Sequence, residues 1–129
     1  MAETWHTEPA SDWVDYASTS TIIGWSAYTT QHLYYKRVGD LLIVLFNFVG
    51  TSNSATISFT LPYTAANVQG QGAIRCSDDG SAAALGRCLV TIGSSTVTCY
   101  FGLGTTGWTA SGGKTVGSLG ALVYQIDDT

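Results

Sequence analysis

The stretch Asp40 to Pro62, DLLIVLFNFVGTSNSATISFTLP, constrains the fold more than any other. Between Leu41 and Val49 only Asn47 is polar, and from Thr56 to Leu61 polar and apolar residues alternate with period two. Both runs are strands by this pattern. With Thr51-Ser52-Asn53-Ser54 as a hairpin loop, Gly50 faces Ala55, and the pairs run Phe48 with Ile57, Phe46 with Phe59 and Val44 with Leu61. The core face is then wholly apolar, whereas a one-residue slip sets Asn47 beside Ile57. The opposite face of the first strand carries Ile43, Leu45 and Val49. An isolated sheet has no need of apolar residues on both sides, so these are expected to be covered by a neighbouring subunit or by the N-terminal segment.

The rest of the chain has the same character. Only 11% of its 129 residues are charged and 15 are glycine, with Ser and Thr abundant, a mixture suited to strands and turns. The length fits one domain, read as 13–129 behind an N-terminal arm or tail over 1–12. A net charge of -4 and scattered basic residues oppose nucleic-acid binding. Neither an apolar run of membrane-spanning length nor a secretion signal is present, which predicts a soluble chain made in the cytoplasm.

Around the central stretch, Gln31 to Val38 reads as a strand turning at Gly39-Asp40, with Leu33, Tyr35 and Arg37 on one face and His32, Tyr34, Lys36 and Val38 on the other. Together with the hairpin this predicts a three-stranded meander. Ser11 to Tyr28 suggests short extended pieces. Gly72 to Ser77 is a strand closed by Asp78-Asp79-Gly80; Arg87 to Ile92 and Thr96 to Phe101 form a hairpin across Gly93-Ser94-Ser95. Gly102 to Gly117 reads as a long glycine-rich loop holding Trp108, and Leu119 to Ile126 as the last strand, with Asp127-Asp128-Thr129 ending in water. About eight short strands predict an all-β fold, a jelly-roll-like antiparallel β-sandwich.

Little here reads as chemistry. No nucleophile elbow, P-loop or paired-carboxylate arrangement is legible, so no catalytic residue, cofactor or metal ligand is assigned and the chain is read as non-enzymatic. Asp78-Asp79-Gly80 is taken as a turn in preference to a calcium site. Cys76, Cys88 and Cys99 fall in the apolar phase of their strands and are expected to be buried free thiols, a Cys76–Cys88 bridge being the alternative. Trp25 is expected to pack into the fold. Tyr100, on a polar strand face, and Trp108, in a loop, are the candidates for exposed ligand-binding rings that stack on a sugar.

Four stretches carry a family resemblance: Ser20-Thr21-Ile22-Ile23-Gly24-Trp25-Ser26; Tyr35-Lys36-Arg37-Val38-Gly39-Asp40; Gly50-Thr51-Ser52-Asn53-Ser54 leading to Phe59-Thr60-Leu61-Pro62; and Trp108-Thr109-Ala110-Ser111-Gly112. In this order and spacing, from about Trp13 to Ile126, the chain resembles the β-sandwich head domains at the C-terminal ends of bacteriophage tail fibres and related virion appendages. The resemblance implies a homotrimeric virion protein that joins other virion proteins and contacts a host-surface receptor or glycan, without catalysis. Tail fibres carry a long shaft before the head, whereas about a dozen residues precede Trp13 here. An excised head and a small complete protein both fit, and the second makes a capsid decoration or head-fibre protein the alternative. A stand-alone carbohydrate-binding module is a further one.

Overall fold

The structure is a computed structural model, and it describes residues 13–104 and 107–126. The arm expected over 1–12 and the solvated end expected at Asp127-Asp128-Thr129 lie outside the described residues. Ten strands follow in chain order: β1 (Val14–Asp15), β2 (Ile22–Ile23), β3 (Trp25–Val38), β4 (Leu41–Ser52), β5 (Ile57–Thr60), β6 (Gly70–Asp78), β7 (Ala84–Val90), β8 (Thr96–Tyr100), β9 (Gly112–Ser118) and β10 (Leu122–Gln125). The all-β expectation is met, with no helix among the described residues. The strands make one antiparallel sheet in the order β1-β3-β4-β9-β6-β7-β8-β5-β2, with β10 added beside β4, curled into a half-barrel.

β3 and β4 form the long hairpin that the Gly39-Asp40 turn announces, with Val38 opposite Leu41 and Leu33 opposite Phe46. Gly39 takes φ 59°, the left-handed conformation that a tight turn needs and that glycine adopts without steric cost. β3 begins at Trp25, earlier than its apolar alternation indicates, because register shifts at Trp25/Ala27 and Tyr28/Thr30 break the period-two pattern.

The predicted hairpin between the central strands does not form, and this corrects the register read from the sequence. β4 pairs with β3, β9 and β10; β5 pairs with β8 and β2. Gly50 lies opposite Tyr28 and Lys114, not Ala55, while Asn47 lies opposite His32 and Gly117. The reading of the faces survives: Val44, Phe46, Phe48, Ile57, Phe59 and Leu61 are all buried. They meet across the interior of the curled sheet and not side by side along a ladder. Phe46 and Phe59 ring centroids are 4.8 Å apart and those of Phe48 and Phe59 5.6 Å. Inward alternation alone is the same for a strand that pairs with its neighbour and one that packs over it, so it fixed the faces and left the partner open.

The two edges of the sheet come together at the same place. β2 runs directly through Gly24 into β3, although the two lie at opposite ends of the strand order. Asn53 N–H donates to the Gly24 carbonyl at 3.0 Å, and the Asn53 amide donates to the Trp25 carbonyl at 3.2 Å. Trp25 is buried against Phe48, as expected of it.

A second correction concerns Gly102 to Gly117. Its last part is strand β9, which joins β4 to β6 at the middle of the sheet. β9 reads GGKTVGS and buries only Lys114 and Val116, so its sequence offers no apolar alternation. The hairpin β7–β8 forms as expected, with Cys88 opposite Cys99, and Val97 and Cys99 face inward while Thr96, Thr98 and Tyr100 face outward. Ile92, read as the end of the first of these strands, is 59% exposed, because β7 ends at Val90. In β10, Leu122 and Tyr124 are buried in phase with Ile126, and Leu119 lies outside the strand.

Candidate functional site

The outer face of β4 is the first candidate surface. Leu42, Val44, Phe46 and Phe48 point inward, so Leu41, Ile43, Leu45, Asn47 and Val49 point out. The neighbouring strands extend the apolar character: Val38 lies opposite Leu41, and Val123 of β10 opposite Ile43. Val38 is 50%, Leu41 44%, Leu45 38% and Val123 43% exposed, while Ile43 and Val49 are half-buried. Ile43 and Leu45 thus lie within one apolar patch, whereas Val49 sits farther along, between Thr30 and Thr115. Val38, Leu41 and Val123 were not singled out from sequence, though the turn at Gly39-Asp40 places Val38 and Leu41 together.

The patch is open beside Leu45 for a topological reason. β10 covers the far edge of β4 from Leu41 to Val44, and β9 covers it from Asn47 to Ser52. Neither strand reaches Leu45 and Phe46. The Ser118 hydroxyl closes that gap in the ladder, donating to the Phe46 carbonyl at 3.2 Å and accepting from the Phe46 N–H at 3.2 Å. Toward the β3 side, His32 and Tyr34 stack with centroids 6.0 Å apart and border the apolar residues.

The two rings proposed for ligand stacking lie elsewhere. Trp108 is 5% exposed, so the expectation of an exposed ring is overturned. Its indole Nε1 donates to the Cys99 carbonyl at 2.9 Å, and the ring packs edge-on against Phe101. Tyr100 is half-buried, with the Arg87 guanidinium 5.2 Å from its ring centroid. Arg87 is itself held by hydrogen bonds to the Gly104 carbonyl and Gln71. The structure does not bring Tyr100 and Trp108 together into a stacking platform.

Comparison with protein-family models, with curated proteins and with solved structures yields no match.

The loop after Trp108 is fastened by an ion pair. Lys114 is 2% exposed, and its ammonium lies 2.8 Å from Asp78 Oδ1, 2.9 Å from Thr109 Oγ1 and 3.0 Å from the Ser111 carbonyl. Asp78 also accepts from the Thr109 hydroxyl at 2.7 Å and the Thr109 N–H at 2.9 Å. Burial alone would raise the Asp78 carboxyl; the Lys114 ammonium and the two Thr109 donors outweigh it, and the net shift is downward. Asp78-Asp79-Gly80 does form a turn, with Asp79 at φ 51° and Gly80 at φ 82°. Its first carboxylate serves the loop, however, a role that residue types alone did not indicate. The sequence offers only a lysine within a glycine-rich segment, and its inward position comes from the pairing of β9.

The three cysteines are buried and free, as expected. Burial raises the Cys88 thiol to about 11, and it raises the Cys99 and Cys76 thiols as well. These thiols therefore carry little thiolate at neutral pH, and they act as small apolar side chains of the interior.

Proposed function

We propose that this chain is a non-enzymatic virion structural protein, a homotrimeric head of a phage tail fibre or similar appendage that contacts the host surface. Its domain is of the sandwich type, the two walls being the two halves of the curled sheet packed through Phe46, Phe48 and Phe59. The observation that carries the reading is the apolar patch of Val38, Leu41, Ile43, Leu45 and Val123 on the outer face of β3, β4 and β10. Single exposed apolar residues are ordinary on a protein surface; a contiguous group across adjacent strands is the signature of an interface. A stable interface takes about 800 Å² from each partner, so the patch would form its centre, with His32, Tyr34 and Lys36 toward its rim. Closed cyclic association hides such a patch in every copy and leaves the loop ends facing away. The resemblance to tail-fibre head domains supplies the trimer and the virion setting.

Light scattering of the purified chain tests this. The expected mass is three times the 13.6 kDa of one chain. A mass near 13.6 kDa at micromolar concentration would overturn the reading.

A further inference from the structure

All five cationic side chains of the protein fall within the described residues, and four of them have partners. Lys114 is paired with Asp78; Arg37 donates to the Gly39 carbonyl and lies over Tyr63; Arg87 donates to Gly104 and Gln71; Lys36 is engaged too. Arg75 differs. It is exposed in the middle of β6 and has neither a hydrogen-bond nor an ion-pair partner among the described residues. Its side chain borders three adjoining depressions of the outer surface, one of them of about 300 Å³.

The floor beside it is made by the sheet itself. Across the strands Asn47 of β4, Gly117 of β9 and Arg75 of β6 stand in one row and share a face. Gly117 contributes no side chain of its own between Asn47 and Arg75, whose strands lie two strand spacings apart, roughly 10 Å. The Asn47 amide leans over the glycine, its Oδ1 3.0 Å from where a Gly117 Cβ would stand, so the residue choice at 117 makes room for that amide. One step along the strands, the cross-strand pair Ser77 and Thr115 adds two hydroxyls. Leu119, 47% exposed, forms an apolar margin.

We infer that this row is a binding site for a carboxylate-bearing sugar. The guanidinium fork matches a carboxylate with two parallel N–H bonds, and with no acid beside it the cation keeps its charge for a ligand. The amide and the two hydroxyls both donate and accept, as a polyol ring requires. Leu119 offers contact to the ring's C–H face. An acidic peptide suits the place less well, because β9, β6 and β7 are each paired on both sides and present no free edge for an extended backbone. A single cation on a chain of net charge -4 likewise does not suit a polyphosphate or nucleic acid. The inference rests on the host-contact reading above and gives it a place and a ligand class.

Amide-resolved NMR titration of the full chain tests it, with glucuronate-terminated and sialic-acid-terminated oligosaccharides against their neutral counterparts. Saturable shifts are expected at Gly117, Thr115 and Arg75 with the acidic sugars, with at least about tenfold weaker binding of the neutral ones, the loss of one charge-assisted contact. Arg75→Gln should lose about tenfold or more, and Asn47→Ala should weaken binding without altering the rest of the spectrum. Equal affinity in Arg75→Gln, shifts confined to other surfaces, or no saturation with any acidic sugar at millimolar concentration would overturn the inference. The two readings fail separately. Arg75 lies outside the Ile43–Leu45 patch, so a trimer that binds no acidic sugar sinks this inference alone, and a monomer that binds one sinks only the trimeric assembly.

Discussion

A lysine ammonium with no solvent exposure survives only when its donors are all met, and Lys114 meets them with the Asp78 carboxylate, the Thr109 hydroxyl and the Ser111 carbonyl. Removing either charge strands the other in a poorly solvated place. Lys114→Met is therefore expected to cost about 3 kcal/mol of stability, read as a lower urea midpoint, whereas the double variant Lys114→Met, Asp78→Leu should recover part of that loss. The sign of the pH dependence follows from the depressed Asp78 carboxyl. Its stabilisation is complete above the unfolded-state value near pH 4 and disappears as pH falls through the lower folded value. The stability difference between the protein and Asp78→Asn should accordingly be constant at neutral pH and shrink in acid; a difference that grows in acid would contradict the assignment. The cysteines give a simpler expectation at the same scale. With Cys88 raised to about 11 by burial and Cys99 fully enclosed, labelling by a thiol reagent should be slow in the native state and fast after denaturation.

At the scale of the element, β9 holds the sheet together at its centre and is the strand least visible in the sequence. Its pairing with β4 brings Lys114 opposite Gly50, while β3 approaches Gly50 from the other side. A Cβ on Gly50 would overlap the Ala27 carbonyl oxygen. Gly50→Ala should thus move backbone and not merely a side chain, with a loss of about 2 kcal/mol or more. Ser118, which follows the Lys114–Val116 core of the strand, carries a second test. Ser118→Ala leaves the Phe46 N–H and carbonyl without their partner, at a cost of about 2 kcal/mol, and should speed hydrogen exchange of the Phe46 amide selectively. The contrast between β4 and β9 also explains how far the sequence could be read. β4 and β10 bury alternate large apolar residues and β8 buries Val97 and Cys99, and their faces follow from that alternation directly. β9 buries a lysine and a valine among glycines, and its strand character comes from β4 and β6 on either side, which no local pattern records. The β4–β5 register failed for a related reason. Proximity in sequence and matched faces suggested a hairpin, while β5 had better partners in β2 and β8. Trp108 was misplaced because a glycine-rich loop reads as exposed. The Cys99 carbonyl that receives its indole lies on β8 and is invisible to local reading.

At the scale of the whole molecule, the apolar patch of β3, β4 and β10 is the feature that bears on assembly. Val38, Leu41, Leu45 and Val123 are between 38% and 50% exposed, so each withholds on the order of 1 kcal/mol that full burial would return. The proposed closed ring would return it in every copy at once, with the half-buried Ile43 between them at the centre. The internal core faces the other way: Leu42, Val44, Phe46 and Phe48 project from β4 into the half-barrel, so charge on the outward residues leaves the packing around Phe59 in place. In the proposed trimer, Ile43→Asp with Leu45→Asp is therefore expected to release folded single chains. The decisive comparison is paired: light scattering should fall to the mass of one chain, while circular dichroism stays dominated by strand and the native fluorescence of the buried Trp25 and Trp108 persists. Dissociation accompanied by loss of that fluorescence would mean that association and folding are one event. A trimeric mass that persists in the variant would show that a different surface joins the subunits and that this apolar face has another purpose.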